Sequence, residues 1–123
     1  MIIRNTRQRD AIREVLEESG RPLSPEEILA AAQTLVKGLG IATVYRNIKT
    51  LLDEGWLVAV ELPGRPPRYE LAGKGHHHHF HCNNCGQVFE LKGCAETFRG
   101  MTPRGFKIVA HDLLLYGICK DCR

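Results

Sequence analysis

Apolar positions in the first half of the chain recur with helical spacing. In "TRQRDAIREVLEESG", Ala11, Ile12, Val15 and Leu16 fall at i, i+3 and i+4 intervals, which marks an amphipathic helix that Gly20 closes. "SPEEILAAAQTL" opens a second helix with a capping box: Ser24 at the N-cap, Pro25 in the first turn and Glu27 three residues after the serine. "IATVYRNIKTLLDEG" sets Val44, Ile48, Leu51 and Leu52 on one side and leaves Thr43, Tyr45, Arg46, Asn47 and Lys49 for the other, stopping at Gly55. The period then shortens to that of strands. "WLVAVEL" and "RYEL" read as a hairpin with "PGRPPR" as its tip.

Three helices and a hairpin in this order predict a winged helix-turn-helix, whose third helix enters the DNA major groove. The same pattern also suits small three-helix folds that never touch DNA. The polar side of the third helix favours DNA, because its residue types reach phosphates and base edges. Thr43, Tyr45 and Arg46 are therefore the candidate base and phosphate contacts, with Arg4, Arg9 and Arg65 positioning the backbone.

Beyond Gly73–Gly75, which reads as a hinge, the pattern changes again. "HHHHFHC", "QVFEL" and "FKIVAHDLLLYGIC" read as strands and "CAETFRG" as a short helix between the last two. The expected fold is α+β: a winged-helix domain over 1–72, a hinge at 73–75, and a small α/β metal-binding domain over 76–123.

Composition narrows the chemistry. No apolar run approaches the ~18 residues of a membrane span and no signal-peptide segment opens the chain, so a cytoplasmic protein with no membrane partner is expected. The net charge of +3 is not spread evenly: residues 1–70 hold ten basic and ten acidic side chains, and residues 71–123 hold seven and four. Four zinc-bound thiolates in the second half would largely cancel that excess, so overall charge does not argue for nucleic acid. The arginines crowding the first helix do.

Four of the five cysteines form two pairs, Cys82-x-x-Cys85 and Cys119-x-x-Cys122. In a reducing compartment such pairs read as metal ligands, here a tetrahedral four-cysteine Zn²⁺ site, with redox dithiols as the alternative. Cys94 stands apart and reads as a small buried residue, with a reactive or metal-binding thiol as the alternative. Five of the six histidines lie in "HHHHFH", an internal run broken by Phe80 and unlike a terminal tag. On a strand, His77, His79 and His81 would face one way and His76 and His78 the other, so one run can serve two metal sites. Glu70 and Glu90 are the available partners of His77 and His79; Glu96 and His111 are those of His76 and His78. A solvated polar edge strand is the bland reading of the same run.

The segments "TRQRDAIREVL", "LSPEEIL", "ATVYRNIKTLLDEG", "RYEL", "HHHHFHCNNCGQVFEL" and "GFKIVAHDLLLYGICKDC" together resemble the ferric uptake regulator family of bacterial metal-sensing repressors, along almost the whole chain. The resemblance implies a homodimer with an N-terminal winged helix and a C-terminal dimerisation domain, binding palindromic double-stranded operator DNA when metal-loaded. The sequence itself shows no nucleophile-base-oxyanion arrangement, so no catalytic activity is expected. The resemblance also implies structural zinc at Cys82, Cys85, Cys119 and Cys122. It implies a hinge-spanning sensory site of Glu70, His77, His79 and Glu90, and an additional site of His76, His78, Glu96 and His111. The regulatory metal would be Zn²⁺ or Fe²⁺, with Mn²⁺ as a third candidate.

The chain departs from the family pattern at Pro22, where many members place a histidine ligand, and at His81, where an apolar residue is usual. The unbroken four-histidine run is more similar to the zinc-uptake regulators than to the iron regulators, although Leu71 stands where many zinc regulators have a cysteine. A zinc-uptake type repressor is the expectation. The alternatives are a peroxide or redox sensor of the same fold and a zinc protein that does not bind DNA.

Overall fold

The computed structural model describes residues 2–94 and 98–123, with side chains from residue 6 onward. Glu96 therefore lies outside the described residues, as does the side chain of Arg4. The chain divides into two compact units, Met1–Lys74 and Gly75–Arg123.

The first unit contains helices α1 (Ile2–Ser19), α2 (Pro25–Ala32) and α3 (Ile41–Asp53), followed by the antiparallel hairpin of β1 (Leu57–Leu62) and β2 (Arg65–Leu71). Its core is what the helical periodicity dictates: Ile12 of α1, Ile28 of α2, and Val44, Ile48 and Leu51 of α3 are almost wholly buried together. The segment before α2 joins the hairpin through reciprocal backbone bonds between Leu23 and Tyr69, at 2.9 and 2.8 Å. α3 ends where Gly55 takes φ 77°, a left-handed conformation that costs glycine nothing.

The capping box forms as expected. The Glu27 N–H donates to Ser24 Oγ at 3.1 Å, and the Ser24 N–H donates to Glu27 Oε1 at 3.0 Å. Glu27 also accepts from Arg21 Nη2 at 3.2 Å and pairs with Arg68 of β2, so one carboxylate caps α2 and ties it to the wing. Burial alone would raise the Glu27 pKa, but the Ser24 N–H and the two guanidinium groups outweigh it and hold the carboxyl below its ordinary value of 4.5. Its stabilising contribution is thus fully present above the unfolded value and is lost as pH falls through the lower folded one. Glu27→Ala should cost about 2 kcal/mol of unfolding free energy. Urea denaturation of variant and parent near neutral pH and at progressively more acidic pH checks this, the difference shrinking with acid.

The hairpin differs from expectation in one respect. β2 begins at Arg65 and includes Pro66 and Pro67, so the tip is only Pro63–Gly64, with Gly64 at φ 71°. The two prolines are tolerated because successive residues face opposite edges: one faces the outer edge of a two-stranded sheet, and the other falls where the pairing with β1 shifts register between Val60 and Leu62.

The second unit is a three-stranded sheet of order β4-β3-β5, built from β3 (His78–Cys82), β4 (Val88–Leu91) and β5 (Leu114–Gly117), with a short helix α4 (Phe98–Met101) before β5. β4 pairs with β3 antiparallel and β5 pairs with it parallel. Gly117 lets β5 approach, since a Cβ there would stand 2.9 Å from the Phe80 ring. The strand expected over "FKIVAHDLLLYGIC" is confined to Leu114–Gly117; residues 106–112 join no sheet, and Phe106 and Val109 are 71% and 90% exposed. Alternating hydrophobicity makes a strand only where a neighbour supplies the ladder, and none pairs with residues 106–112. The expected helix "CAETFRG" is described only from Phe98 on.

Among the described residues, the second unit buries only Cys82, Val88 and Cys119 as apolar side chains, whereas the first buries an extended core. No helix among them is long and apolar enough to cross a membrane.

Candidate metal centres and nucleic-acid interface

The two cysteine pairs meet because β5 lies directly beside β3. Cys82 pairs in register with Gly117, and the Asn83 N–H donates to the Gly117 carbonyl at 2.7 Å, so the chain leaving each strand turns at the same end of the sheet. Each turn is closed by its own backbone bond, from the Gly86 N–H to Cys82 O at 2.9 Å and from the Cys122 N–H to Cys119 O at 3.1 Å. All four Sγ atoms lie within 4.8 Å of one another, with Cys85 and Cys119 at 3.9 Å. Zn–S bonds of about 2.3 Å give a tetrahedral edge of about 3.8 Å, so this donor set fits Zn²⁺. The N–H groups of Cys85 and Cys119, each 3.4 Å from Cys82 Sγ, draw the Cys82 pKa down to about 6, as a thiolate ligand requires.

The histidines divide by strand parity, as the alternation implies. On one side the His77 and His79 rings stand 4.9 Å apart, and His79 is in register opposite Glu90 of β4. Glu90 Oε1 lies 3.8 Å from His77 Nε2, while His77 Nδ1 contacts the Gly75 carbonyl at 2.8 Å, the outer partner that orients a ligating imidazole. Glu70 is in the first unit, buried on β2 with its carboxylate 3.7 Å from Lys74 Nζ.

On the other side His76, His78 and His111 converge and are joined by Cys94. Their donor atoms and Cys94 Sγ all lie within 4.8 Å of one another. Cys94 is exposed, not the small buried residue that was expected. Burial and the neighbouring imidazoles push His78 below the ordinary histidine range, favouring the neutral form that metals bind. His81 belongs to neither cluster: it is buried with its ring 5.7 Å from that of Tyr116.

The exposed side of α3 carries Tyr45, half exposed with its hydroxyl donating to Glu26 Oε2 at 3.4 Å, and Arg46, which donates to Thr43 Oγ1 at 3.0 Å. Thr43, Arg46 and Asn47 line a cavity of about 590 Å³ with Arg9 and Arg13 of α1. Arg13 also stacks over Trp56, 4.6 Å from the ring centroid, so its charge is held in place. Arg65 is exposed at the wing tip and does not line this cavity.

Comparison with known proteins finds relatives along nearly the whole chain. The family model described as "Ferric uptake regulator family" matches residues 1–116. The ferric uptake regulation protein of Helicobacter pylori (strain ATCC 700392 / 26695) is 32% identical over 124 residues, covering 98% of this chain and 83% of its own. The zinc uptake regulation protein of Mycobacterium tuberculosis (strain CDC 1551 / Oshkosh) is 30% identical over 124 residues, covering 98% and 95%. A solved zinc-bound manganese uptake regulator superposes with a TM-score of 0.79 at 29% identity, covering 91% of this chain and 87% of that one. These relatives are named for three different metals and all are named as regulators. A family match over residues 1–116, through both units, with a relative 32% identical and covered over 83% of its length, means that the chain belongs to the ferric uptake regulator family.

Proposed function

We propose that this protein is a cytoplasmic, metal-dependent transcriptional repressor that binds palindromic operator DNA as a homodimer and controls metal-homeostasis genes. The observation that carries this reading is the cluster of His77, His79 and Glu90, which begins two residues past the boundary between the units. Metal held there, with Glu70 as a further ligand from the winged unit, would fix the linking segment as a hinge in one state. That would favour the arrangement in which two recognition helices meet successive half-sites. The Cys82–Cys85–Cys119–Cys122 cage would hold a structural Zn²⁺. Regulatory Zn²⁺ is favoured over Fe²⁺ and Mn²⁺ on the unbroken histidine run, since imidazole and carboxylate donors by themselves accept all three.

Thr43, Tyr45 and Arg46 would read base edges and phosphates, with Arg4, Arg9 and Arg65 on the backbone. A second copy would cover Leu115, Tyr116 and Ile118, which the chain leaves about half exposed on and beside β5. No chemical step is assigned to any of these residues; their work is to hold metal and DNA.

Operator binding titrated with each buffered metal tests the reading, using duplexes selected from a random pool and protein that keeps its four-cysteine metal. Affinity should rise with one metal ahead of the others, and Arg46→Ala should weaken the metal-loaded complex by about 1–3 kcal/mol. A response flat across Zn²⁺, Fe²⁺ and Mn²⁺ would sink the proposal. Binding abolished by peroxide and not restored by metal would point to a redox sensor.

A further inference from the structure

We propose that Cys94 supplies a thiolate ligand to a four-coordinate site with His76, His78 and His111, and that this site takes Zn²⁺ in preference to Fe²⁺ or Mn²⁺. The geometry is local to the second unit. His78 opens β3 and His76 lies two residues before it, Cys94 follows β4, and His111 precedes β5, its ring packed 4.6 Å from that of Phe98 in α4.

Hydrogen bonding does not account for how these groups meet. His111 Nε2 is approached by three donors or acceptors at once: His76 Nε2 at 3.0 Å, His78 Nε2 at 3.1 Å and Cys94 Sγ at 3.1 Å. His78 Nε2 also lies 3.4 Å from Cys94 Sγ. A ring nitrogen carries either one N–H or one lone pair, directed along one line in the ring plane, and cannot satisfy three such neighbours. Four lone pairs aimed at a common cation can be arranged in this way. With Zn–N near 2.0–2.1 Å and Zn–S near 2.3 Å, the tetrahedral edges are about 3.3 Å between nitrogens and about 3.6 Å from nitrogen to sulfur, close to the separations found.

The thiolate decides the metal. A carboxylate as fourth donor would leave a site of imidazole and oxygen that suits iron and manganese as well as zinc, whereas thiolate is a soft donor that shifts the preference toward Zn²⁺. Four protein donors also close the tetrahedron, so the site holds its ion and leaves no open position for a substrate. The inference deepens the metal-dependent reading of the protein. It requires nothing of the operator, so a failure of DNA binding and a failure of this site are seen separately.

The test adds Co²⁺, without oxygen, to protein whose four-cysteine site is already filled by zinc. The parent should develop intense tetrahedral ligand-field bands together with a thiolate-to-cobalt charge-transfer band in the near ultraviolet. Cys94→Ser should lose the charge-transfer band and bind Zn²⁺ at that site at least roughly tenfold more weakly. Glu96→Gln should change neither. Zn²⁺ should displace the cobalt where equal Mn²⁺ or Fe²⁺ does not. Far-ultraviolet circular dichroism and retained structural zinc establish that each variant is folded. The proposal is overturned if the parent shows no charge-transfer band, if the band survives in Cys94→Ser and so arises from the other four cysteines, or if Glu96→Gln rather than Cys94→Ser empties the site.

Discussion

Stripping the metal from the four-cysteine cage, by chelation or by Cys82→Ser with Cys119→Ser, is expected to unfold Gly75–Arg123 while the helices of the first unit persist. The second unit is too small to stand on hydrophobic burial, with only Cys82, Val88 and Cys119 as buried apolar side chains among its described residues, two of them metal-site cysteines. Units of this size lean on metals, disulfides or a partner chain. A structural zinc supplies about 10–16 kcal/mol of apparent free energy in small domains near neutral pH, far more than this sheet could replace. The first unit has its own core of Ile12, Ile28, Val44, Ile48 and Leu51. Amide hydrogen exchange followed before and after chelation separates the two: protection should vanish along β3, β4 and β5 and remain in α1, α2 and α3. Persistent protection of β3 in protein shown to be zinc-free would refute it.

The second large effect concerns regulation. His79→Ala should raise the metal concentration needed for half-maximal operator binding by at least about 100-fold, leaving metal-free DNA affinity and structural zinc content unchanged. His79 faces Glu90 across the β3–β4 ladder with its ring 4.9 Å from His77, so its removal takes a direct ligand from the proposed sensory site. Supporting groups around a metal already account for roughly 10–100-fold in affinity, and a direct ligand accounts for more. Metal acts here only through its differential affinity for the DNA-competent state, so weaker binding moves the response without altering the bare protein. Equal metal requirements in His79→Ala and the parent would remove the sensory role from this cluster.

Where local rules suffice, the structure follows them. The Ser24 capping box, the apolar face of α3 and the stop at Gly55 depend on neighbours within four residues, and all three appear as the pattern dictates. The split of the histidines is equally local, because alternation along a strand needs no knowledge of the rest of the fold. Departures arise where a distant partner decides. The strand at Pro66–Pro67 exists because β1 pairs with it around a register shift, and residues 106–112 form none because no strand pairs with them. The place of Cys94 is decided in the same way: a single cysteine has no spacing signal, and only the convergence of segments from before, between and after the strands brings it to His111. His81 was grouped with His77 and His79 by parity alone, yet it packs with Tyr116 of β5, on the edge of β3 away from β4.

The parity of β3 also constrains how this tract can change. Substituting one histidine edits one metal cluster and spares the other. Deleting a single residue between His76 and His81 would carry every following side chain to the opposite face, exchanging the donors of two clusters at once and displacing Cys82 from its cage. Variation in residue type is thus modular along this strand, and variation in its length is not.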